Sequence, residues 1–166
     1  MKPETLAGIR RFCLESTVWY QFKYANGYLG AYWEDGFWCP LLEQVTEELR
    51  LALPGIFHDH RLRKCWAFKY DSRLSGIPIH ADFAAVNVNF WITPDAANLD
   101  PAHGGLVVWD KEAPPEWGFG DYNANPQKLR DFVAASGARA LTVPHRQNRV
   151  LVFNSDLCHE TDKITF

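Results

Sequence analysis

The chain has 166 residues, 47% of them hydrophobic and 22% charged, with a formal net charge of −3. This length fits one domain with a core of its own, and the composition excludes a disordered chain. The small negative charge provides no general attraction to nucleic acid or to an anionic membrane surface. Since the sequence shows neither a signal-peptide core nor a membrane-length apolar stretch, we expect a cytoplasmic protein.

The cysteines are widely separated and form no C-x-x-C pair, which argues against a zinc knuckle and a redox dithiol. They are Cys13, Cys39, Cys65 and Cys158. A reducing compartment is therefore expected.

The amino-terminal part predicts two helices. Apolar residues recur at helical spacing over residues 3–15 and 40–53, and a proline stands near the start of each segment. Between them, "STVWYQFKY" predicts a strand closed by the turn Asn26-Gly27, and "GYLGAYWEDGFW" predicts a loop. The charged stretch "HDHRLRK" predicts a solvated loop that contains the H-x-H pair His58 and His60.

From residue 65 onward, short strands dominate. They are predicted at "CWAFKYD", "AAVNVNFWIT", "GGLVVWD", "ALTVP" and "RVLVFNS". One helix interrupts them, with Asn125 as N-cap, Pro126 at its first position and Gly137 past its end. The short link "HRQN" predicts a β-hairpin. We expect a single mainly β domain, with residues 1–64 supporting a jelly-roll core over 65–166.

A histidine and an aspartate lie two residues apart in "GIPIHADFAAVNVNFWITP". At the start of a strand, His80 and Asp82 would project from the same face and could bind one metal ion. The best third ligand is His159, just beyond the apolar strand in "RVLVFNSDLCHETD". Two histidines and one carboxylate leave coordination positions open, as in non-haem Fe(II) oxygenases.

The sequence resembles the Fe(II)- and 2-oxoglutarate-dependent oxygenases, specifically their prolyl-hydroxylase-like branch and its bacterial relatives, some of which are fused to tetratricopeptide repeats. The resemblance runs from "KYDSRLSGIPIHAD" through "VNVNFWITPD" and "GGLVVWDKEAP" to "NRVLVFNSDLCHETD". It implies a double-stranded β-helix in which His80, Asp82 and His159 bind Fe(II). The implied activity is hydroxylation of a protein side chain or a small molecule by O2, with 2-oxoglutarate converted to succinate and CO2.

The resemblance leaves open how the distal carboxylate of 2-oxoglutarate is bound. Relatives use an arginine on the last core strand, and the present sequence ends before such a strand. Either the sequence is a fragment, with an exposed sheet edge for self-association, or another residue replaces the arginine. Tyr70 and Asn89 are expected to contact the co-substrate. Asn87 is a further candidate, while Arg149 is expected at the surface.

Alternation through "VNVNFWIT" places a set of polar and large side chains on one face of the strand. They are Asn87, Asn89, Trp91 and Thr93. Whether this face looks into the barrel or toward solvent stays open from the sequence. Two rival functions also stay open: a non-catalytic metal-binding or interaction domain that lacks productive co-substrate binding, and a zinc-dependent hydrolase with the same three ligands.

Overall fold

The computed structural model describes residues 1–20, 28–70 and 73–166. Its helices are α1 (Pro3–Glu15), α2 (Pro40–Ala52), α3 (Pro54–Phe57), α4 (Phe119–Asn123) and α5 (Pro126–Ala135). Its strands are β1 (Leu29–Tyr32), β2 (Trp66–Lys69), β3 (Val86–Phe90), β4 (Leu106–Glu112), β5 (Ala140–Val143), β6 (Val150–Asn154) and β7 (Leu157–Thr161). All pairs of these strands are antiparallel, and within the described ranges the sheets do not close into a barrel.

The described residues form two compact units. The first holds residues 1–20 and Leu29–Lys69, and the second holds Tyr28, Tyr70 and residues 73–166. In the first unit α1 packs on α2, and β1 pairs with β2. As for the membrane, none of the helices in the described part of the chain has the length and apolar character needed to cross a bilayer.

The second unit contains two sheets. In one, β3 pairs with β6, which places Asn87 opposite Phe153. In the other, β4 lies between β5 and β7, so that Val108 is opposite both Leu141 and His159. The register of β4 against β7 shifts after Val108, which marks a β-bulge near the end of β4. Such bulges re-aim the side chains around them.

The core of the second unit lies between α5 and the three-stranded sheet. Its buried cluster consists of Ile79, Leu129, Val133 and Cys158. Ile79 and Cys158 immediately precede His80 and His159 in the sequence. Because side chains alternate along extended backbone, burial of Ile79 and Cys158 toward α5 turns both histidines to the opposite face.

Much of the predicted secondary structure is confirmed. Helices α1, α2 and α5 lie in the predicted segments, and β2 to β6 overlap the five predicted strands. The side chain of Asn125 caps α5 by accepting a hydrogen bond from the Lys128 amide at 3.2 Å. Gly137 has φ 65°, as expected past the end of a helix. Residues 58–64 lie outside helices and strands, as predicted.

Predictions near the amino terminus are partly wrong. Residues 16–20 form no strand, because Trp19 folds back on α1 and donates its indole N–H to the Cys13 carbonyl at 2.8 Å. The rest of that predicted strand, and the turn Asn26-Gly27, lie outside the described residues. The predicted loop over 27–38 contains β1, because pairing with a distant strand overrides local turn preference.

The predicted hairpin between β5 and β6 is also wrong. Strand β5 pairs with β4 and strand β6 pairs with β3, so the link "HRQN" passes from one sheet to the other. Strand β7, which contains His159, was not predicted. Both differences arise because hydrogen bonds between distant segments, rather than the length of a link, decide which strands pair.

Candidate metal centre

The three side chains predicted to bind a metal ion lie together in the second unit. One ligand atom from each of His80, Asp82 and His159 lies within 4.8 Å of the others. Nε2 of His80 is 3.7 Å from Oδ1 of Asp82, and Nε2 of His159 is 3.4 Å from Oδ2. Metal–ligand distances of about 2.1 Å separate neighbouring ligand atoms by roughly 3.0–3.5 Å. Small movements would therefore complete the site.

The two imidazoles are oriented by the backbone. Nδ1 of His80 is 2.9 Å from the carbonyl oxygen of Pro78, and Nδ1 of His159 is 2.8 Å from that of Leu157. Because a carbonyl oxygen only accepts, each Nδ1 donates its N–H. Each Nε2 faces Asp82, as in metal sites whose histidine ligands are held by hydrogen bonds through their other nitrogen.

Three hydrogen bonds link Asp82, Asn87 and Ser155 in a closed set. The side-chain amide of Asn87 donates to Oδ2 of Asp82 at 2.7 Å, and the Ser155 hydroxyl donates to Oδ1 of Asn87 at 2.9 Å. The Asp82 amide donates to the Ser155 carbonyl at 3.0 Å. Since Asn87 and Ser155 are buried, these bonds also satisfy polar atoms shielded from water. They fix the direction of the carboxylate.

Ala81, which lies between the two ligands His80 and Asp82, is held by hydrogen bonds with two residues at the end of α4. Its amide donates to the Tyr122 carbonyl at 2.8 Å, and its carbonyl accepts from the Asn123 side chain at 2.9 Å. The assumption that His80 and Asp82 both begin a strand is wrong, because His80 forms only an isolated β-bridge and Asp82 lies in a loop. Their side chains converge because each residue of the segment is anchored separately.

The carboxyl group of Asp82 carries the negative charge of the site. Burial by itself raises the pKa of Asp82, but the hydrogen bond with His159, the charges of both imidazoles and the hydrogen bond from Asn87 together lower this pKa to about 2. The group is therefore ionised at neutral pH. Its two oxygens each face the Nε2 of one imidazole.

At Asn87 the polar face of β3 points toward the triad. Asn87 is 9% exposed and bonds to Asp82, and Phe153 opposite it places its ring 5.0 Å from that of His159. The solvent-facing alternative is therefore excluded for this position. Asn89 lies on the same face about 7 Å further along the strand.

Two other residues considered for co-substrate binding occupy defined places. The ring of Tyr70 packs edge-on against Tyr28, with the centroids 6.4 Å apart. Arg149, expected at the surface, is half-buried and donates from Nη1 to the carbonyl of Pro144. Contacts of Tyr70 and Asn89 with a co-substrate stay predictions.

Histidines outside the triad have other surroundings. His58 and His60 are exposed, and Nδ1 of His58 is 2.7 Å from Oδ1 of Asp59. Nδ1 of His103 is 3.0 Å from Oδ2 of Asp162. Among the residues that the structure describes, His80, Asp82 and His159 are the one group of three that could hold a metal ion.

The sequence did not reveal the roles of Asn87 and Ser155 in holding Asp82. One signal was present: Asn87 belongs to the polar face of β3, and if that face is buried its amide needs a hydrogen-bonding partner. The identity of that partner depends on a contact between β3 and the segment after β6.

Comparison of the chain with protein families, curated proteins and solved structures finds no match.

Proposed function

We propose that this chain is an Fe(II)- and 2-oxoglutarate-dependent dioxygenase that hydroxylates a C–H bond of its substrate. The convergence of His80, Asp82 and His159 is the observation that carries the proposal. Two imidazole nitrogens and one carboxylate oxygen occupy three positions of an octahedral ion and leave three for exogenous ligands. A structural zinc site would instead use four protein ligands and close the coordination sphere.

The second unit is consistent with an open jelly roll, which we propose as its fold. Its two sheets contribute to one site: β7 carries His159, while β3 carries Asn87. The contact between Phe153 of β6 and His159 joins the two sheets directly. Side chains that face each other between two antiparallel sheets form the interior of such a fold.

With iron, 2-oxoglutarate and O2 bound, the chemistry supplied at the site is oxidation of a substrate C–H bond with release of succinate and CO2. The protein contributes geometry and exclusion of water. His80, Asp82 and His159 hold the ion, and Asn87 keeps the Asp82 carboxylate aimed at it. Phe153 places an apolar ring against His159 and limits water around that ligand.

The proposal assigns co-substrate contacts to Asn89 and Tyr70. Asn89 follows Asn87 on the same face of β3, so its amide can donate to the distal carboxylate of 2-oxoglutarate. The phenol of Tyr70 would supply a second hydrogen bond. Neither group carries a positive charge. Arg149, which directly precedes β6, does carry one, and within the described residues its guanidinium makes one hydrogen bond. Arg149 is the proposed cationic partner if one is required.

An anaerobic titration tests the proposed function. Fe(II) is added first and 2-oxoglutarate second, and we expect one ion per chain followed by the weak visible absorption band of the chelate. Asp82→Ala should abolish both signals, whereas His58→Ala should change neither. One bound ion with no band, and no succinate after admission of air, would favour a non-catalytic metal-binding domain. Hydrolysis that appears only with zinc would favour the hydrolase.

A further inference from the structure

An open cavity of about 440 Å³ lies on the three-stranded sheet of the second unit. Its lining consists of Val108, Trp109, Ala140, Leu141 and Leu157, together with Asp110 and Arg139. This volume lies within the range of small-molecule sites, which combine apolar walls with a few polar groups. Leu141 is 64% exposed, so apolar surface faces solvent there.

Strand register places this cavity next to His159. Val108 is the Cα partner of both His159 and Leu141, so their side chains form a row across one face of the sheet. Leu157, whose carbonyl accepts the hydrogen bond from Nδ1 of His159, is itself a residue of the cavity lining. A molecule in the cavity would thus lie beside a metal ligand.

An ion pair stands at the edge of the cavity. The Arg139 amide donates to Oδ1 of Asp110 at 2.8 Å, and Nε of Arg139 donates to Oδ2 at 2.9 Å. These bonds, the backbone one first, lower the pKa of Asp110, so its carboxylate is ionised at neutral pH. Within the described residues the two Nη groups of Arg139 make no hydrogen bond, which leaves them able to bind a carboxylate.

We propose that this cavity is the substrate site and that it binds a free amino acid with an aliphatic side chain. The proposal rests on the proposed function, because it takes His159 as a ligand of the catalytic metal. Arg139 would bind the α-carboxylate, Asp110 would accept from the α-ammonium, and the side chain would lie on Val108, Leu141 and Leu157. A zwitterion complements an ion pair of adjacent opposite charges better than an anion or a neutral amide does.

Dimensions agree with this assignment. Asp110 lies two residues beyond Val108, about 7 Å along the strand. A side chain of the length of leucine spans most of that distance, so its terminal C–H bonds would approach His159 while its charged groups stay at Asp110 and Arg139. The regular pairing of β4 with β5 continues past Trp109, so that the Asp110 amide donates to the Arg139 carbonyl at 3.0 Å.

Paramagnetic relaxation by Mn(II) tests the site and its occupant. Mn(II) binding is first measured by electron paramagnetic resonance. The relaxation of ligand protons is then compared for L-leucine, for 4-methylpentanoate, which lacks the ammonium, and for N-acetyl-leucine methylamide, which resembles a peptide. We expect leucine to bind at least about tenfold more tightly than the other two, and its methyl protons to relax faster than its α-proton.

Two variants complete the test. Arg139→Gln should weaken leucine binding about tenfold or more and leave Mn(II) affinity unchanged, whereas Arg146→Gln, at another exposed arginine, should change neither. Binding of the methylamide as tight as that of leucine would identify a peptide site and overturn the proposal. If 4-methylpentanoate binds as tightly as leucine, the ammonium group is not recognised, and this result would also overturn the proposal.

The outcomes separate this proposal from the proposed function. Mn(II) binding without any effect on leucine protons would reject the cavity and leave the metal centre intact. If Mn(II) does not bind, the metal centre fails, and saturation-transfer measurements on leucine without metal decide the cavity alone. If leucine then binds and Arg139→Gln weakens this binding, the amino-acid site is supported. If leucine does not bind, the amino-acid site is rejected.

Discussion

His80 and His159 are joined by two backbone hydrogen bonds, from the His80 amide to the His159 carbonyl at 2.9 Å and from the His159 amide to the His80 carbonyl at 2.8 Å. Their ring centroids are 4.2 Å apart. The backbone therefore brings the two imidazoles together. A site organised in this way loses little conformational entropy when an ion binds.

The first prediction concerns the ligands. His80→Ala and His159→Ala should each lower the affinity for Fe(II) or Mn(II) by about 100-fold or more, because each removes a nitrogen donor. With the metal at about 100 times its Kd, the wild-type unfolding temperature should rise by roughly 5 °C or more. Calorimetry should show no such rise for either variant. An unchanged rise in both would place the metal elsewhere.

A second prediction concerns the orientation of Asp82. Asn87→Ala removes the hydrogen bond to Oδ2 and should weaken metal binding by about 10- to 100-fold, because the carboxylate is then free to rotate. Asn154→Ala is the matched control, since Asn154 is an exposed asparagine that bonds to Glu112. Isothermal titration with Mn(II) measures both variants. Equal affinities for the two would show that Asn87 does not orient the ligand.

A third prediction concerns the close approach of β4 and β5. A Cβ added at Gly105 would lie 1.9 Å from the carbonyl oxygen of Val143, so Gly105→Ala must open the strand pair. We expect a loss of about 3 kcal/mol or more in the free energy of unfolding. Gly120→Ala, in α4, adds a carbon that meets no atom within 4 Å apart from its chain neighbours and the backbone of its own helix, and it should stabilise the protein by about 0.5–1 kcal/mol. Urea unfolding of both variants would test this contrast.

A fourth prediction concerns thiol reactivity in the first unit. Burial raises the pKa of Cys13 and of Cys65 from 9.0 to about 11. At pH 8 their thiolate fractions, and so their alkylation rates, should be about 100-fold below those of the urea-unfolded chain. The native rates should rise as the pH passes from 9 to 11. Mass spectrometry after iodoacetamide treatment identifies each site, and equal native and unfolded rates would contradict the burial.

The same shifts predict how stability depends on pH. Each folded thiol holds its proton more tightly than the unfolded one, so this contribution to stability is complete below pH 9 and is lost as the pH rises to about 11. Cys65→Ser should reduce the loss of stability over that range. Urea unfolding at pH 8, 9.5 and 11 would measure the difference between the variant and the wild type.

The sequence alone determined the elements whose bonds are local. Helix α5 was predictable because Asn125, Pro126 and Gly137 act within one turn of its ends, and because helical hydrogen bonds join residues four apart. The identities of His80, Asp82 and His159 as metal ligands were also proposed from residue type and spacing. These features depend on few distant contacts.

Tertiary structure decided everything that joins distant segments. Strand β7 exists because it pairs with β4, and Asp82 is held by Asn87 and Ser155 because β3 and β6 lie side by side. Asp110 and Arg139 stand side by side at the cavity because the antiparallel pairing of β4 with β5 continues past Trp109 and Ala140. Local propensity contains no information about such pairings, since a sheet hydrogen bond joins residues that any number of positions can separate in the sequence.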